Sequence, residues 1–126
     1  MPLVTISAMI PRDSGAVPRT IQDVRDAGAL ALSCSRSNIW VVFQPIHPGH
    51  YVQGEGEPAL CHGENSHPPI VIVRAQAGRP PEIRKAFAEA ISYSVSKGLD
   101  IPPENIWIHY QEMSPQDVWF DGRWTG

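Results

Sequence analysis

The chain is written twice, and no other feature of the sequence restricts its fold so strongly. Laying Pro2 on Pro69 aligns residues 2–44 with residues 69–111 without a gap. Val4 then falls on Val71, Ala8 on Ala75, Arg12 on Arg79 and Leu32 on Leu99, and the triplet Asn38-Ile39-Trp40 falls on Asn105-Ile106-Trp107. A tryptophan-bearing triplet at the same offset as a proline and an arginine is hard to obtain by chance. A chain of 126 residues must therefore hold two copies of one supersecondary unit, with little left for a second domain. We read residues 1–126 as one domain: a first repeat 2–44, a connecting segment 45–68, a second repeat 69–111 and a tail 112–126.

Each copy opens with an apolar run rich in branched residues, Leu3 to Ile10 and Ile70 to Ala75, of strand length rather than helix length. In the second copy Pro80 and Pro81 stand where a helix begins, and Ile83, Phe87, Ala90, Ile91 and Val95 follow at helical spacing ahead of Gly98. The first copy keeps the same stripe with Val17, Ile21, Val24 and Ala31, although Gly28 inside it costs about 1 kcal/mol relative to alanine. A second strand closes each copy, Ile39 to Gln44 and Ile106 to Gln111, so each is a βαβ unit with a right-handed connection. The predicted class is α+β: two tandem βαβ units in one four-stranded mixed sheet with both helices on one face. Tyr51-Val52 is a candidate for a short edge strand. In the tail, Val118-Trp119-Phe120, Asp121-Gly122 and Arg123-Trp124-Thr125 have the form of a β-hairpin with a primed turn.

Two helices on one face leave the other face bare. Trp40, Val42 and Trp107 with their alternating neighbours carry more apolar area than the helices can cover, so the second face is expected to bury against other copies of the chain. Charged residues make up 18% of the chain, fewer than the roughly 25% of an average soluble domain, which fits a partly covered surface and a homo-oligomer; the assembly expected is a homotrimer. A net charge of -3 and the absence of any Lys/Arg run argue against nucleic acid as a partner. No apolar stretch approaches the roughly 20 residues of a membrane span, and no basic-then-apolar leader is visible. Cys34 and Cys61 suit a reducing compartment as thiols, and the expected location is the cytoplasm.

Chemistry points first to Pro2. Removal of Met1 would leave a free prolyl amine leading directly into a core strand. An α-amine titrates near about 7.7–8.0, and burial or a nearby cation lowers that value, so such a nitrogen can work as a general acid or base near neutrality. With Met1-Pro2-Leu3-Val4 at the start, Gly78-Arg79-Pro80-Pro81-Glu82-Ile83-Arg84-Lys85 at the second helix and Ile106-Trp107-Ile108-His109-Tyr110-Gln111-Glu112-Met113 at the last long strand, the chain resembles the tautomerase superfamily. The resemblance covers nearly the whole chain and is greatest to the cis-3-chloroacrylic acid dehalogenase-like subgroup, built from fused 4-oxalocrotonate tautomerase-like βαβ repeats. It implies the tautomerase/MIF-like fold and an enzyme in which Pro2 is the acid or base.

The resemblance also assigns roles. Arg79 falls on the family's Gly-Arg position and is expected to bind the substrate carboxylate through two hydrogen bonds. The subgroup's second arginine is replaced by Gln76, with Arg74 two residues earlier on the same strand face. His109 stands where the dehalogenases have a water-activating tyrosine, and a helix-borne histidine of theirs falls near Gly28. Their late glutamate falls on Phe120, with Asp121 beside it. The expected catalytic residues are Pro2, Arg79 and His109, and the expected substrate-binding residues are Arg74, Gln76, Trp119, Phe120 and Asp121. Trp40 and Trp107 are read as core. The expected activity is keto-enol tautomerisation of a small 2-keto or 2-hydroxy carboxylic acid, ahead of hydrolytic dehalogenation or hydration of a cis-3-haloacrylate, in which His109, Asp121 or Glu112 would position water. No cofactor is implied. Arg12, the counterpart of Arg79, has no free amine in its own copy because Pro69 is mid-chain. A competing reading as a metal-binding protein starts from His47, His50, Cys61, His62 and His67, but their spacing fits no recognisable zinc pattern, and no metal site is expected. A third reading is a non-catalytic oligomer.

Overall fold

The computed structural model describes residues 1–62 and 69–125. The chain runs β1 (Leu3–Ala8), α1 (Ala16–Leu32), β2 (Trp40–Pro45), β3 (Ile70–Gln76), α2 (Pro81–Leu99), β4 (Trp107–Met113), β5 (Trp119–Phe120) and β6 (Arg123–Trp124). The main sheet has the order β2-β1-β3-β4. Strands are parallel within each repeat, and β1 and β3 meet antiparallel where the repeats join. Two βαβ units thus form one mixed sheet, with a separate hairpin behind it, as the duplication predicts.

Strand alternation decides what the helices cover. Val4, Ile6 and Ala8 of β1 and Val71, Val73 and Ala75 of β3 are buried with Val24 of α1 and Phe87, Ile91, Val95 and Leu99 of α2 in a single cluster. Burying each of the larger side chains stabilises the fold by about 1.5–3 kcal/mol. Pro81 sits in the first turn of α2, where a missing N–H costs nothing. Left-handed Ser33 and Asp100 end α1 and α2, and their N–H groups donate to the last helical carbonyls. Gly98 does not end α2 as its type suggests. It lies inside the helix, where a Cβ would run into the Thr20 side chain of α1, and Gly28 of α1 lies where a Cβ would sit 2.8 Å from the Phe87 ring. Both glycines let the two helices approach closely.

The other sheet face is uncovered in the single chain. Its register rows are Trp40–Leu3–Arg74–Gln111, Val42–Thr5–Ile72–His109 and Gln44–Ser7–Ile70–Trp107. Trp40 is 42% exposed and Trp107 53% exposed, which corrects their reading as core residues: strand parity turns both indoles away from the helices. Tyr51-Val52 is not a strand either. The Gly49 N–H donates to the Ala59 carbonyl and the Ala59 N–H to the Tyr51 carbonyl, so that loop closes on itself rather than on the sheet. In the tail, β5 pairs antiparallel with β6 across Asp121 (φ 58°) and Gly122 (φ 74°). Two successive positive φ angles are those of a type I′ turn, the primed turn expected there.

Candidate active site

Pro2 stands at the start of β1 and is almost wholly buried. Its carbonyl accepts a hydrogen bond from the Trp40 N–H at 3.1 Å, and the carbonyl of Pro69 accepts one from the Trp107 N–H at the same distance. The next residue, Leu3, pairs with Trp40 on one side and Arg74 on the other. Because β3 runs antiparallel to β1, its last residues lie at the end of the sheet where Pro2 begins. Arg74 and Gln76 share the uncovered face there, as their spacing predicts.

The turn after β3 brings in Arg79. The Ala77 N–H donates to the Met113 carbonyl at 3.1 Å, and Gly78 adopts φ 109°, a conformation that side chains resist. The Gly78 N–H donates to Glu112 Oε2 at 3.0 Å, and Arg79 Nη1 reaches back to the Gln76 carbonyl at 3.4 Å. The guanidinium lies near enough to the chain's amino group to act on it. That amine, on Met1, is held below its ordinary value of 8.0, first by burial and second by the Arg79 charge, while Cys34 after α1 acts in the opposite sense.

The tail supplies an aromatic wall. β4 ends at one sheet edge and Trp40 belongs to the other, so the tail has crossed the sheet end by the time the Phe120 ring meets Trp40 edge-on, centroids 4.9 Å apart. Trp119 packs on Trp124 across the hairpin at 5.4 Å, and Asp121 occupies the exposed turn. His109 is not brought to this cluster within one chain. It pairs with Ile72, two positions along from Arg74 on the uncovered face, and its ring lies beside Trp107 at 5.8 Å.

Arg12 lies at the opposite sheet end, on a cavity of about 710 Å³ that His47, Cys61 and His62 also line. The two ring nitrogens of His62 are within hydrogen-bonding reach of the Met9 and Leu99 carbonyls, and the His47 and His50 rings meet edge-on at 5.5 Å. His67 lies outside the described residues. Among the described residues no three His, Cys, Asp or Glu side chains form a group able to hold a metal ion. Sequence reasoning missed two contacts of the Pro2 end: the Phe120–Trp40 pair, and Glu112 on the Gly78 amide. The Glu-Met pair after the last long strand marked Glu112 as a family feature, but the spacing gave no sign of its partner.

Comparison with known proteins agrees with this architecture. Residues 69–125 match the model of the Tautomerase family, described as tautomerase enzyme. No curated protein matches the sequence. Among solved structures, Pt0534 inactivated by 2-oxo-3-pentynoate is 18% identical with a TM-score of 0.84, covering 98% of this chain and 94% of its own. A wild-type fused 4-OT that forms an asymmetric trimer is 16% identical with a TM-score of 0.85, covering 98% and 95%. A member of the cis-3-chloroacrylic acid dehalogenase family is 18% identical with a TM-score of 0.71, covering 98% and 83%. The second repeat matches the Tautomerase family's sequence model, and the whole chain shares the fold of the fused 4-OT structures.

Proposed function

We propose that the protein is a tautomerase that uses the mature amino-terminal nitrogen of Pro2 as general acid and base on a small 2-keto or 2-hydroxy carboxylic acid. The observation that carries this reading is the Met1 amine next to the buried Pro2, its basicity lowered by burial and by Arg79. Removal of Met1 moves the amine one residue inward, onto a ring already sealed from water. Arg79 binds the substrate carboxylate through two hydrogen bonds and draws electron density toward it, so the neighbouring C–H or O–H becomes acidic. The neutral Pro2 nitrogen takes that proton, and the resulting ammonium returns it at the other end of the conjugated system. Nothing is oxidised or reduced, and no cofactor is called for.

Arg74 and Gln76 add polar contacts beside the acid, and Trp119, Phe120 and Asp121 form the wall that limits substrate size. His109 joins from the uncovered face when copies assemble. The fused 4-OT neighbours form trimers, and three copies joined through that face would bury the exposed indoles. The cytoplasm is the proposed location, and no helix among the described residues is long and apolar enough to cross a membrane.

Likeness to a member of the cis-3-chloroacrylic acid dehalogenase family keeps a second reading in view: protonated Pro2 donating a proton to an unsaturated acid while water attacks C3. Glu112 is engaged by Gly78, so His109 or Asp121 would have to position that water. The test uses one preparation. Intact mass is expected to show Met1 absent, and phenylpyruvate or 2-hydroxymuconate is expected to be tautomerised faster than cis-3-chloroacrylate is hydrated. Because acid-base catalysis contributes about 10²–10⁴-fold and Pro2→Ala still offers an amine, primary in place of secondary, that variant should lose at least about tenfold in kcat while staying folded. A retained Met1, or an unchanged rate in Pro2→Ala, overturns the reading and favours a non-catalytic oligomer.

A further inference from the structure

The turn that carries Arg79 is anchored by backbone bonds at its two ends, at Ala77 and at Pro80, whose carbonyl accepts from the Ile83 and Arg84 N–H groups. Residues 77–80 lie between β3 and α2, and Gly78 adopts a φ of 109° that other residues resist. A turn centred on glycine has more unfolded and alternative conformations to lose than any other, so its geometry has to be fixed by contacts from outside. The backbone bond from Ala77 to Met113 anchors its first residue. Between the two ends a side chain takes over. Glu112, on the helix-facing side of β4, places Oε2 3.0 Å from the Gly78 nitrogen, the residue immediately before Arg79.

Glu112 is itself held. Its Oε1 faces Arg84 Nη1 at 3.7 Å, and the Arg84 guanidinium lies 4.7 Å from the centroid of the Tyr110 ring, two residues before Glu112 on the same side of β4. With the carboxylate and the guanidinium each half-exposed, the ion pair adds little by itself, and its service is to orient the carboxylate. A hydrogen bond from an amide to an ionised acceptor is among the stronger kinds. A further contact, from Arg79 Nη1 to the Gln76 carbonyl at 3.4 Å, then aims the guanidinium along the sheet end.

We propose that Glu112 is the positioning residue for Arg79: its carboxylate latches the Gly78 amide and so fixes where the substrate-binding guanidinium stands relative to the Pro2 nitrogen. This rests on the tautomerase reading above and assigns Glu112 a part other than positioning water. A latch needs an acceptor oxygen at that place and not a base. Glutamine keeps the acceptor, and alanine removes it.

The test compares Glu112→Ala and Glu112→Gln with the wild-type protein on phenylpyruvate, with Arg79→Ala as reference and the Gly78 amide followed by NMR. Glu112→Ala is expected to raise KM about tenfold with kcat changed less than threefold, and to move the Gly78 amide proton upfield. Glu112→Gln should restore both to within threefold of wild type and keep the amide downfield. An unchanged KM in Glu112→Ala, or a Glu112→Gln variant as impaired as Glu112→Ala, overturns the proposal. If Arg79→Ala leaves KM unaltered, the tautomerase reading has failed instead. The Gly78 amide then decides the latch alone: no shift in Glu112→Ala refutes it.

Discussion

At the scale of single residues, the chemistry proposed for the Pro2 end would follow from removing water from an amine and setting a guanidinium beside it. Both effects oppose protonation of the Met1 amine, burial being the larger, and the Pro2 nitrogen that loss of Met1 would expose sits one residue further into the same surroundings. The neutral amine, which is the basic form, therefore persists to lower pH than it would in a peptide. On the tautomerase reading kcat/KM should rise with pH along an acid limb whose midpoint lies below 8.0, the ordinary value of the group. Arg79→Ala removes one of the two causes. Its residual activity should show that midpoint shifted upward while burial still keeps it below the peptide value. A pH-rate profile of both proteins checks this, and a midpoint at or above that of an exposed amine would contradict it. Pro2 and Arg79 were legible in the sequence because each carries its chemistry in its residue type. Glu112 was not, since its effect depends on a carboxylate crossing from β4 to a turn 34 residues earlier.

The secondary elements were legible for a different reason: the duplication let each strand and helix be read twice. Strand ends still moved by a residue or two, as with β1 ending at Ala8 and β4 reaching Met113, because hydrogen-bond register and not apolarity stops a strand. Gly98 stands inside α2, although glycine commonly follows a helix, because its missing side chain here serves close packing. That use predicts a measurable cost. Alanine at position 98 would gain about 1 kcal/mol in helix propensity, yet its Cβ would meet the fully buried Thr20. Overpacking of this kind costs about 1–3 kcal/mol, so Gly98→Ala should be neutral to destabilising, with a net loss up to about 2 kcal/mol in denaturant unfolding. A stabilised variant would show that α1 and α2 are not in firm contact there.

For the whole molecule, one sheet face remains to be accounted for. Trp40 and Trp107 occupy opposite edges of that face in opposite end rows, a placement that the twofold repeat produces automatically. On the proposed trimeric reading, native mass spectrometry should find three chains per particle. Trp107→Glu would set an unpaired carboxylate into the interface at a cost on the order of 3 kcal/mol, about 100-fold in association. The variant should sediment as a smaller species with unchanged far-UV dichroism, because Trp107 lies outside the chain's own core. A trimer that survives this change does not assemble through the tryptophan face.

The paired backbone bonds at the two ends of the sheet, Trp40 to Pro2 and Trp107 to Pro69, leave the halves nearly interchangeable as scaffolding. Yet Pro69 is sewn into a peptide link on its amino side and has no lone pair to lend. On the tautomerase reading, loss of Met1 would free the nitrogen of one of two look-alike corners and not the other, so covalent connectivity rather than scaffold would choose the corner that reacts.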